Sequence, residues 1–386
     1  MRVLCSRGRY GGGGGLASGP MDGVDIRRLP WSGISGSSVV GRALNDGLFL
    51  IQASACAVLN RARADVVLAA TSPPFIGLAA ALAGRARTLP HAHWTMDVYP
   101  DVIQAHRALM PESWVARALD AVARFQFGRA ALVLTLGPFM AGRVARHLDA
   151  RVPLHAVPLW GDLDEDSVAP GAVRDMRLRR GWGLHDFVLM YSGNMGRGHR
   201  FREFVEAARR LGPEGPRWAF IGDGARRNEV AQLARQYPAA RIELLPPVAS
   251  SDVAASLLSA DVQLVSLSSA WQALIVPSKL QAAFAVGRPV ILVGPPDNEA
   301  AAWIRESGGG WVVGEDNVEG LMRAIEEARD DHERSRRGRA ARAFARAHFD
   351  RQSNCTRIAD LLETCVAPPG GSAERHSFAA GGNDQR

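Results

Sequence analysis

The sequence has few cysteines and no long uninterrupted apolar run, and both shortages exclude classes of protein. Its four cysteines lie far apart without paired spacing, so neither a disulfide framework nor a zinc site is indicated: Cys5, Cys56, Cys355 and Cys365. A bilayer-spanning helix needs ~20 predominantly apolar residues, and the longest candidate, residues 47–59, is interrupted by Gln52 and Ser54. Because a charged-then-apolar leader is also missing, we expect a cytoplasmic protein.

The positive charge of the chain does not follow the pattern of a nucleic-acid-binding protein. The formal net charge is +7 and the sequence pI is about 9.9, which would suit a nucleic acid, an anionic membrane surface or a phosphorylated ligand. The arginines are scattered, however, and no basic stripe interleaved with aromatic residues occurs. We therefore expect no nucleic acid partner. A Gly-x-Gly-x-x-Gly motif after a first strand, with a later acid, is also absent, which argues against an NAD-binding oxidoreductase.

What the chain does have is the composition and length of two globular domains. Hydrophobic residues make up 47% of its 386 residues and charged residues 22%, which is typical of packed domains. Short β-branched runs alternate with longer amphipathic ones in both halves, which predicts an α/β protein with mostly parallel sheets. We predict domains at 1–162 and 184–366, a linker at 163–183 and a disordered tail at 367–386.

Three turns in the second half, each where a strand-like run ends, suit the binding of phosphate. In the first turn Gly193, Gly196 and Gly198 let the backbone approach an anion closely, and the neighbouring Arg197, His199 and Arg200 add positive charge. Two further turns follow in order, Gly222-Asp223-Gly224 and Pro277-Ser278-Lys279. A cation at the start of a helix opposes the helix dipole, so a bound anion would explain Lys279.

This order of motifs resembles the retaining glycosyltransferases of family 4, most of all the branch that builds colanic acid, O-antigen and related surface polysaccharides. Further motifs of the first and second halves carry the likeness: Asp65-Val66-Val67-Leu68, Asp97-Val98-Tyr99-Pro100-Asp101, Pro158-Leu159-Trp160-Gly161-Asp162 and Ala285-Val286-Gly287-Arg288-Pro289-Val290. The resemblance implies the GT-B fold, with two Rossmann-like domains facing one cleft and a last helix that crosses back. It implies a metal-independent, retaining hexosyltransferase that moves a sugar from a nucleotide-sugar donor to a lipid-linked or saccharide acceptor, with no separate cofactor.

The resemblance and the turns together assign the donor site to the second half. The predicted donor-binding residues are Gly193, Asn194, Gly196, Arg200, Gly222, Asp223, Ser278 and Glu299. Alternatives remain for several of them, since Arg197 and Arg200 also suit a solvated first helical turn. Asp223 also suits a tight turn after a buried strand.

Two departures from the family are visible. Family members often carry two glutamates eight positions apart, and those positions here hold Leu274 and Ala282. Glu299 is the candidate substitute for ribose recognition, although it also suits an ordinary acid in a first helical turn. The chain also resembles the family only from its second strand onward, so the first strand and helix are expected to be missing. The run Gly11–Gly15 is then a mobile loop rather than a phosphate loop.

The catalytic residues predicted from both halves are His93, Asp97, Arg197 and Lys279. His93 and Asp97 lie at or just after a strand whose end should face the cleft, where they would contact the sugar or orient the acceptor hydroxyl. Their alternatives are a packed histidine and a turn-capping aspartate.

A helix-like segment around Trp114 to Arg129 mixes apolar residues with arginines. It predicts a peripheral contact with an anionic membrane, at the inner face of the plasma membrane, the alternative being burial of its apolar side. Two other functions stay open for the whole chain. One is a degraded GT-B protein that binds a nucleotide as a scaffold, and the other is a sugar-nucleotide epimerase.

Overall fold

The computed structural model describes residues 1–6, 18–30, 39–59, 64–107, 110, 112–163, 166 and 168–366. The predicted disordered tail at 367–386 and the glycine run Gly11–Gly15 lie outside these residues.

The described strands form three sheets, one of them in the second half and two in the first. The strands are β1 (Arg2–Ser6), β2 (Gly19–Met21), β3 (Val24–Leu29), β4 (Val67–Ala69), β5 (His91–Trp94), β6 (Leu132–Thr135), β7 (Leu154–Ala156), β8 (Val188–Ser192), β9 (Arg217–Ile221), β10 (Ile242–Leu245), β11 (Val262–Ser266), β12 (Val290–Val293) and β13 (Gly310–Val313). The second half has one parallel sheet of order β10-β9-β8-β11-β12-β13. Every residue of β11 and β12 is buried, as expected of parallel strands covered by helices on both faces.

Helices connect and cover these strands. They are α1 (Val39–Leu59), α2 (Gly77–Arg87), α3 (Asp101–Ala105), α4 (Trp114–Phe127), α5 (Pro138–Val144), α6 (Ala172–Arg179), α7 (Arg202–Leu211), α8 (Arg227–Gln236), α9 (Val253–Leu258), α10 (Lys279–Ala285), α11 (Glu299–Ser307), α12 (Val318–Arg329), α13 (Asp331–His348) and α14 (Arg351–Thr364). Several begin at a side-chain cap, for example at Ser113 before α4 and at Asn298 before α11, where an oxygen accepts from a backbone N–H of the first turn.

The first half contains two sheets where the alternating pattern predicted one. Parallel strands β4-β5-β6-β7 form one sheet, and β1-β3-β2 form the other, in which β1 and β3 are parallel. Among the described residues β1 and β4 each pair with a strand on one side only.

The sheet β4–β7 has different helices on its two faces. Ala92, Leu132 and Leu134 pack against Ile358 of α14, so the last helix lies on the first half. On the opposite face, the start of α2 packs closely against β5. A Cβ added to Gly77, the first residue of α2, would lie only 2.5 Å from the ring of His93 in β5.

Two features join the halves more closely than a flexible linker would. One hydrophobic cluster includes Val98 and Met140 from the first half and Leu274 and Trp303 from the second. Asp97 forms a β-bridge with Ile275, and the Val98 amide donates to the Leu274 carbonyl over 3.0 Å. Part of the predicted linker 163–183 is also ordered, since α6 packs against α9.

Candidate functional site

A pocket of about 290 Å³ lies at the ends of β8, β9 and β11 in the second half. Three residues predicted to bind the donor line it, Gly193, Gly222 and Ser278, together with Lys279, which was predicted to be catalytic. Its remaining wall is mostly apolar, with Pro247, Val248, Val253, Leu257 and Ala282 among the lining side chains. Ligands of open α/β sheets bind at this edge, beyond the carboxyl ends of the strands.

The two glycine turns pack directly on each other. The Gly193 amide donates to the Ile221 carbonyl over 2.9 Å, and the Met195 amide donates to the Asp223 carbonyl over 2.7 Å. Gly193 and Gly222 have φ values of 123° and 131°, which side-chain-bearing residues rarely adopt. A Cβ on Gly222 would lie 2.2 Å from the Gly193 carbonyl oxygen. Both glycines are therefore needed for the shape of this end of the pocket.

We expect Gly222→Ala to destabilise the protein by about 1–3 kcal/mol, because it adds backbone strain and a clash with Gly193. It should also weaken nucleotide binding by displacing the first turn. Gly314→Ala is the matched control, because Gly314 has an ordinary φ and nothing within 4 Å of a new Cβ. Thermal melting of both variants checks the prediction, which is wrong if the two variants have the same melting temperature.

Lys279 is a largely enclosed cation without an acidic partner among the described residues. The aliphatic part of the Lys279 side chain lies against Gly193. A Cβ added to that glycine would lie 3.0 Å from Cε of Lys279. Its Nζ lies 3.2 Å from Nε2 of His199 and 5.0 Å from the centre of the Tyr191 ring. Burial lowers the pKa of Lys279 to about 8. A bound anion would stabilise the charged form of a lysine in this setting.

His199 has a different role from the one its sequence position suggested. We expected it to add positive charge, but it is buried and its pKa falls to about 3 through burial and the nearby Lys279. Its Nδ1 lies 2.6 Å from the Ser266 carbonyl oxygen, so the ring proton sits on Nδ1 and is donated there. Nε2 is then left as an acceptor for Lys279, so the neutral histidine holds the lysine in place.

Arg197 and Arg200, three residues apart, have opposite surroundings. Arg197 is exposed, lies near His106 of the first half, and has no carboxylate partner in the described parts of the chain. Arg200 is turned into an acidic cluster, with its guanidinium 2.7 Å from Glu203 and 2.6 Å from Asp316. The Arg197 side chain therefore stays available to a ligand. The predicted contact of Arg200 with the donor is not favoured by this geometry.

Three other predicted donor residues lie at or beyond the rim. Asn194 is exposed in the first turn, and its backbone carbonyl accepts from the Tyr191 hydroxyl over 2.8 Å. Gly196 lies behind it, with Asn194 Nδ2 3.3 Å from where a Cβ would be. The Asp223 carboxylate accepts from the Gly224 amide over 2.8 Å, which matches the tight-turn alternative.

Glu299 is directed away from the pocket and toward the first half. Its carboxylate accepts from the Met140 amide over 2.7 Å and also from the Phe139 amide, at the start of α5. The side chain fits against Gly137, where a Cβ would lie 2.2 Å from its Cγ. Burial nevertheless raises its pKa. The substitute role in ribose recognition is not favoured by this placement, and Glu299 acts instead as a link between the halves.

His93 and Asp97 share a small cavity of about 20 Å³ in the first half, together with Thr95 and Tyr99. Burial lowers the pKa of His93 to about 3 and raises that of Asp97. Within the described residues, His93 Nε2 has no hydrogen-bond partner. A neutral imidazole of such low basicity is a poor proton acceptor but can still hydrogen-bond a hydroxyl. Of the two, Asp97 is the stronger candidate for orienting an acceptor.

The β-bridge between Asp97 and Ile275 brings the two pockets toward each other. Ile275 lies in the segment that leads directly to Ser278 and Lys279.

The described residues contain no group of three histidine, cysteine, aspartate or glutamate side chains placed to hold a metal ion. No helix among them is long and apolar enough to cross a membrane.

Comparison with known proteins agrees with this geometry. Residues 186–331 match the sequence family described as "Glycosyl transferases group 1". The "Probable glycosyltransferase WbjE" of Pseudomonas aeruginosa is 25% identical over 268 residues, which span 69% of this chain and 66% of that protein. The matched segment contains Gly193, Gly222, Ser278 and Lys279, which line the pocket.

Solved structures show that the fold is GT-B. HepE of Anabaena in complex with UDP superposes with a TM-score of 0.67 at 16% identity, covering 88% of this chain and 86% of that chain. WaaG, a glycosyltransferase involved in lipopolysaccharide biosynthesis, gives a TM-score of 0.66 at 16% identity and covers 92% and 89% of the two chains. Sucrose-phosphate synthase from Thermosynechococcus elongatus gives 0.69 at 15% identity, covering 90% and 84%. The predicted fold class is confirmed.

Proposed function

We propose that the protein is a retaining glycosyltransferase of family 4 that transfers a sugar from a nucleotide-sugar donor to a lipid-linked or saccharide acceptor. Its place would be the surface-polysaccharide branch, at the inner face of the plasma membrane. The observation that carries the proposal is Lys279, an enclosed cation beside the Gly193 turn that has no acidic partner in the described part of the chain. The match of residues 186–331 to group 1 glycosyltransferases and the UDP held by HepE support it.

The chemistry of transfer asks mainly for stabilisation of a leaving diphosphate. As the bond between the sugar carbon and the phosphate oxygen breaks, negative charge grows on that oxygen, and Lys279 and Arg197 would offset it. When no covalent intermediate forms with the protein, retention requires the acceptor oxygen to arrive on the face from which the phosphate departs. The acceptor proton would then pass to the departing phosphate oxygen, with Asp97 orienting the acceptor hydroxyl. In this scheme the side chains supply the positive charge, and neither metal nor cofactor is needed.

A panel of nucleotide sugars with a saccharide acceptor tests the proposal. UDP-sugars come first because the related fold of HepE holds UDP. Proton NMR of the product should show the same anomeric configuration as the donor. An inverted product would overturn retention, and tight nucleotide binding without turnover of any donor would favour the scaffold alternative. That alternative is supported by Ala282, which gives the pocket an apolar wall where family members often have a glutamate.

We expect binding of the nucleoside diphosphate to weaken as pH rises from about 7 to about 9. The phosphate groups are already ionised in this range, since their last pKa is near 6. Lys279 loses its proton as pH passes its pKa of about 8. Above that pH the free protein must take up a proton to bind, so affinity falls by up to about tenfold per pH unit.

Lys279→Arg is the matched control for this pH dependence, because a guanidinium stays protonated throughout the range. Calorimetric titration should give a flat profile for this variant. A wild-type affinity that stays constant between these pH values would contradict the assignment of Lys279 to the phosphates.

A further inference from the structure

Helix α1 carries a row of apolar side chains that the rest of the described chain leaves uncovered. Leu44, Ile51 and Leu59 are 57%, 67% and 75% exposed, and they recur at the seven- or eight-residue spacing that puts side chains on one side of a helix. Phe49 and Ala53 on the other side are buried and belong to a core cluster with Leu29 and Ala79. We call the three exposed residues the α1 stripe.

The neighbouring helices add further exposed apolar groups, together with arginines. α2 packs against both α1 and α4, so the three helices form one layer. On α4, Trp114 is 78% and Phe125 40% exposed, although Ala123 and Phe127 of the same helix are buried. The membrane contact predicted for α4 from the sequence stays a prediction, and α1 carries the longer apolar row.

Three arginines of this layer are exposed and have no carboxylate partner among the described residues. They are Arg85 at the end of α2, Arg117 on α4, and Arg129 just after α4. The Arg85 guanidinium lies 3.8 Å from the centre of the Phe125 ring, so a cation and an exposed aromatic are adjacent. At the same end of the layer, Arg87 donates to the Ala57 carbonyl of α1. Cations beside exposed apolar groups match a surface that is apolar inside and anionic outside.

Helix α1 packs against a residue that lines the acceptor-side cavity. Ile76 is among the residues that line the cavity of His93 and Asp97. Ile76 also packs against the core cluster that contains Phe49 and Ala53 of α1. Helix α1 is thus linked through Ile76 to the place where an acceptor would be oriented.

We propose that the α1 stripe, with Trp114 and Phe125 of α4, docks the protein on an anionic lipid bilayer. The arginines would meet the lipid phosphates while Leu44, Ile51 and Leu59 enter the boundary between headgroups and acyl chains. This arrangement would hold a lipid-linked acceptor beside the cavity of Asp97. The inference rests on the proposed function for the identity of the acceptor, but the docking itself is independent of any reaction.

Vesicle co-sedimentation of the full chain tests the docking, using phosphatidylcholine vesicles with and without phosphatidylglycerol. We expect binding to the vesicles that contain phosphatidylglycerol, weakened by salt. The triple variant Leu44→Gln, Ile51→Gln, Leu59→Gln should lose about tenfold or more in affinity. The matched control is Leu178→Gln with Leu184→Gln, two side chains of similar exposure in the second half, which should bind as the wild type does.

A second variant distinguishes loss of membrane contact from misfolding of the triple variant. Arg85→Gln with Arg117→Gln leaves the apolar groups intact and should reduce the preference for phosphatidylglycerol about tenfold or more. Equal vesicle binding by wild type and triple variant would overturn the proposal. So would a wild-type dimer in light scattering that the triple variant converts to a monomer, because the stripe would then join two copies of this chain.

Donor binding separates failure of the docking from failure of the proposed function. Calorimetric titration with UDP, or with the diphosphate of the donor found in the panel, should give the same affinity for the triple variant as for the wild type. If the wild-type protein transfers sugar but does not bind vesicles, the docking alone is disproved. Wild-type protein that binds vesicles but no nucleotide disproves the transferase alone.

Discussion

Lys279→Ala should weaken binding of the donor diphosphate by about 1.5–3 kcal/mol, which is roughly ten- to hundredfold in affinity. The lysine supplies an ammonium group to a pocket whose remaining wall is mostly apolar, and no other cation lines that pocket among the described residues. Its loss leaves the phosphates without the one cation of the described lining residues. Titration calorimetry with the diphosphate measures the change directly.

Stability should change little in the same variant, because Lys279 forms no ion pair with a described carboxylate. Arg235→Ala provides the matched control for removal of one positive charge, since Arg235 is exposed on α8 and does not line the pocket. Equal donor affinity in Lys279→Ala and wild type would show that the lysine does not contact phosphate.

Glu299→Ala should lower the free energy of unfolding by about 2–3 kcal/mol. The carboxylate accepts hydrogen bonds from the Met140 and Phe139 amides, and truncation leaves these two donors buried without a partner. It also opens a void beside Gly137, where the side chain now fits. The midpoint of urea unfolding measures the loss.

Glu299→Gln is the informative companion variant, because its amide oxygen can still accept from the Met140 amide, which now donates to a single carboxylate oxygen. It should lose less stability than Glu299→Ala. If both variants unfold at the wild-type urea concentration, the link between Glu299 and α5 does not stabilise the protein.

The fold and the centre of the site could be predicted from local sequence. Gly193 and Gly222 stand directly after apolar runs, and their positive φ values are needed where two strand ends approach each other. Ser278 and Lys279 follow Pro277 at the start of α10. In each case the relevant neighbours are a strand and the turn that follows it, so spacing alone carries the information.

The surroundings of Arg200, His199 and Glu299 could not be predicted in this way. Arg200 pairs with Asp316, and Glu299 bonds to Met140, each more than a hundred positions away. Whether an arginine forms an ion pair, and whether a glutamate accepts backbone hydrogen bonds, depends on how elements distant in sequence pack together. The tautomer of His199 depends similarly on the Ser266 carbonyl, a backbone atom that no side-chain motif encodes.

The exposed face of α1 was missed for a related reason. An apolar run such as residues 47–59 suits a buried helix as well as an exposed one, because periodicity does not reveal what packs outside it. Only the absence of a covering element in the described structure distinguishes Leu59 from Phe49.

The hydrophobic cluster shared by the two halves limits how this protein can be recombined with its relatives. A chimera that joins this first half to a second half of different donor preference would cut through the packing of Val98 and Met140 against Leu274 and Trp303. It would also separate Glu299 from α5 and α14 from the sheet it covers. An exchange confined to the loops around Pro247 and Val248 would leave that packing whole, so grafted loops are the better route to a new donor preference.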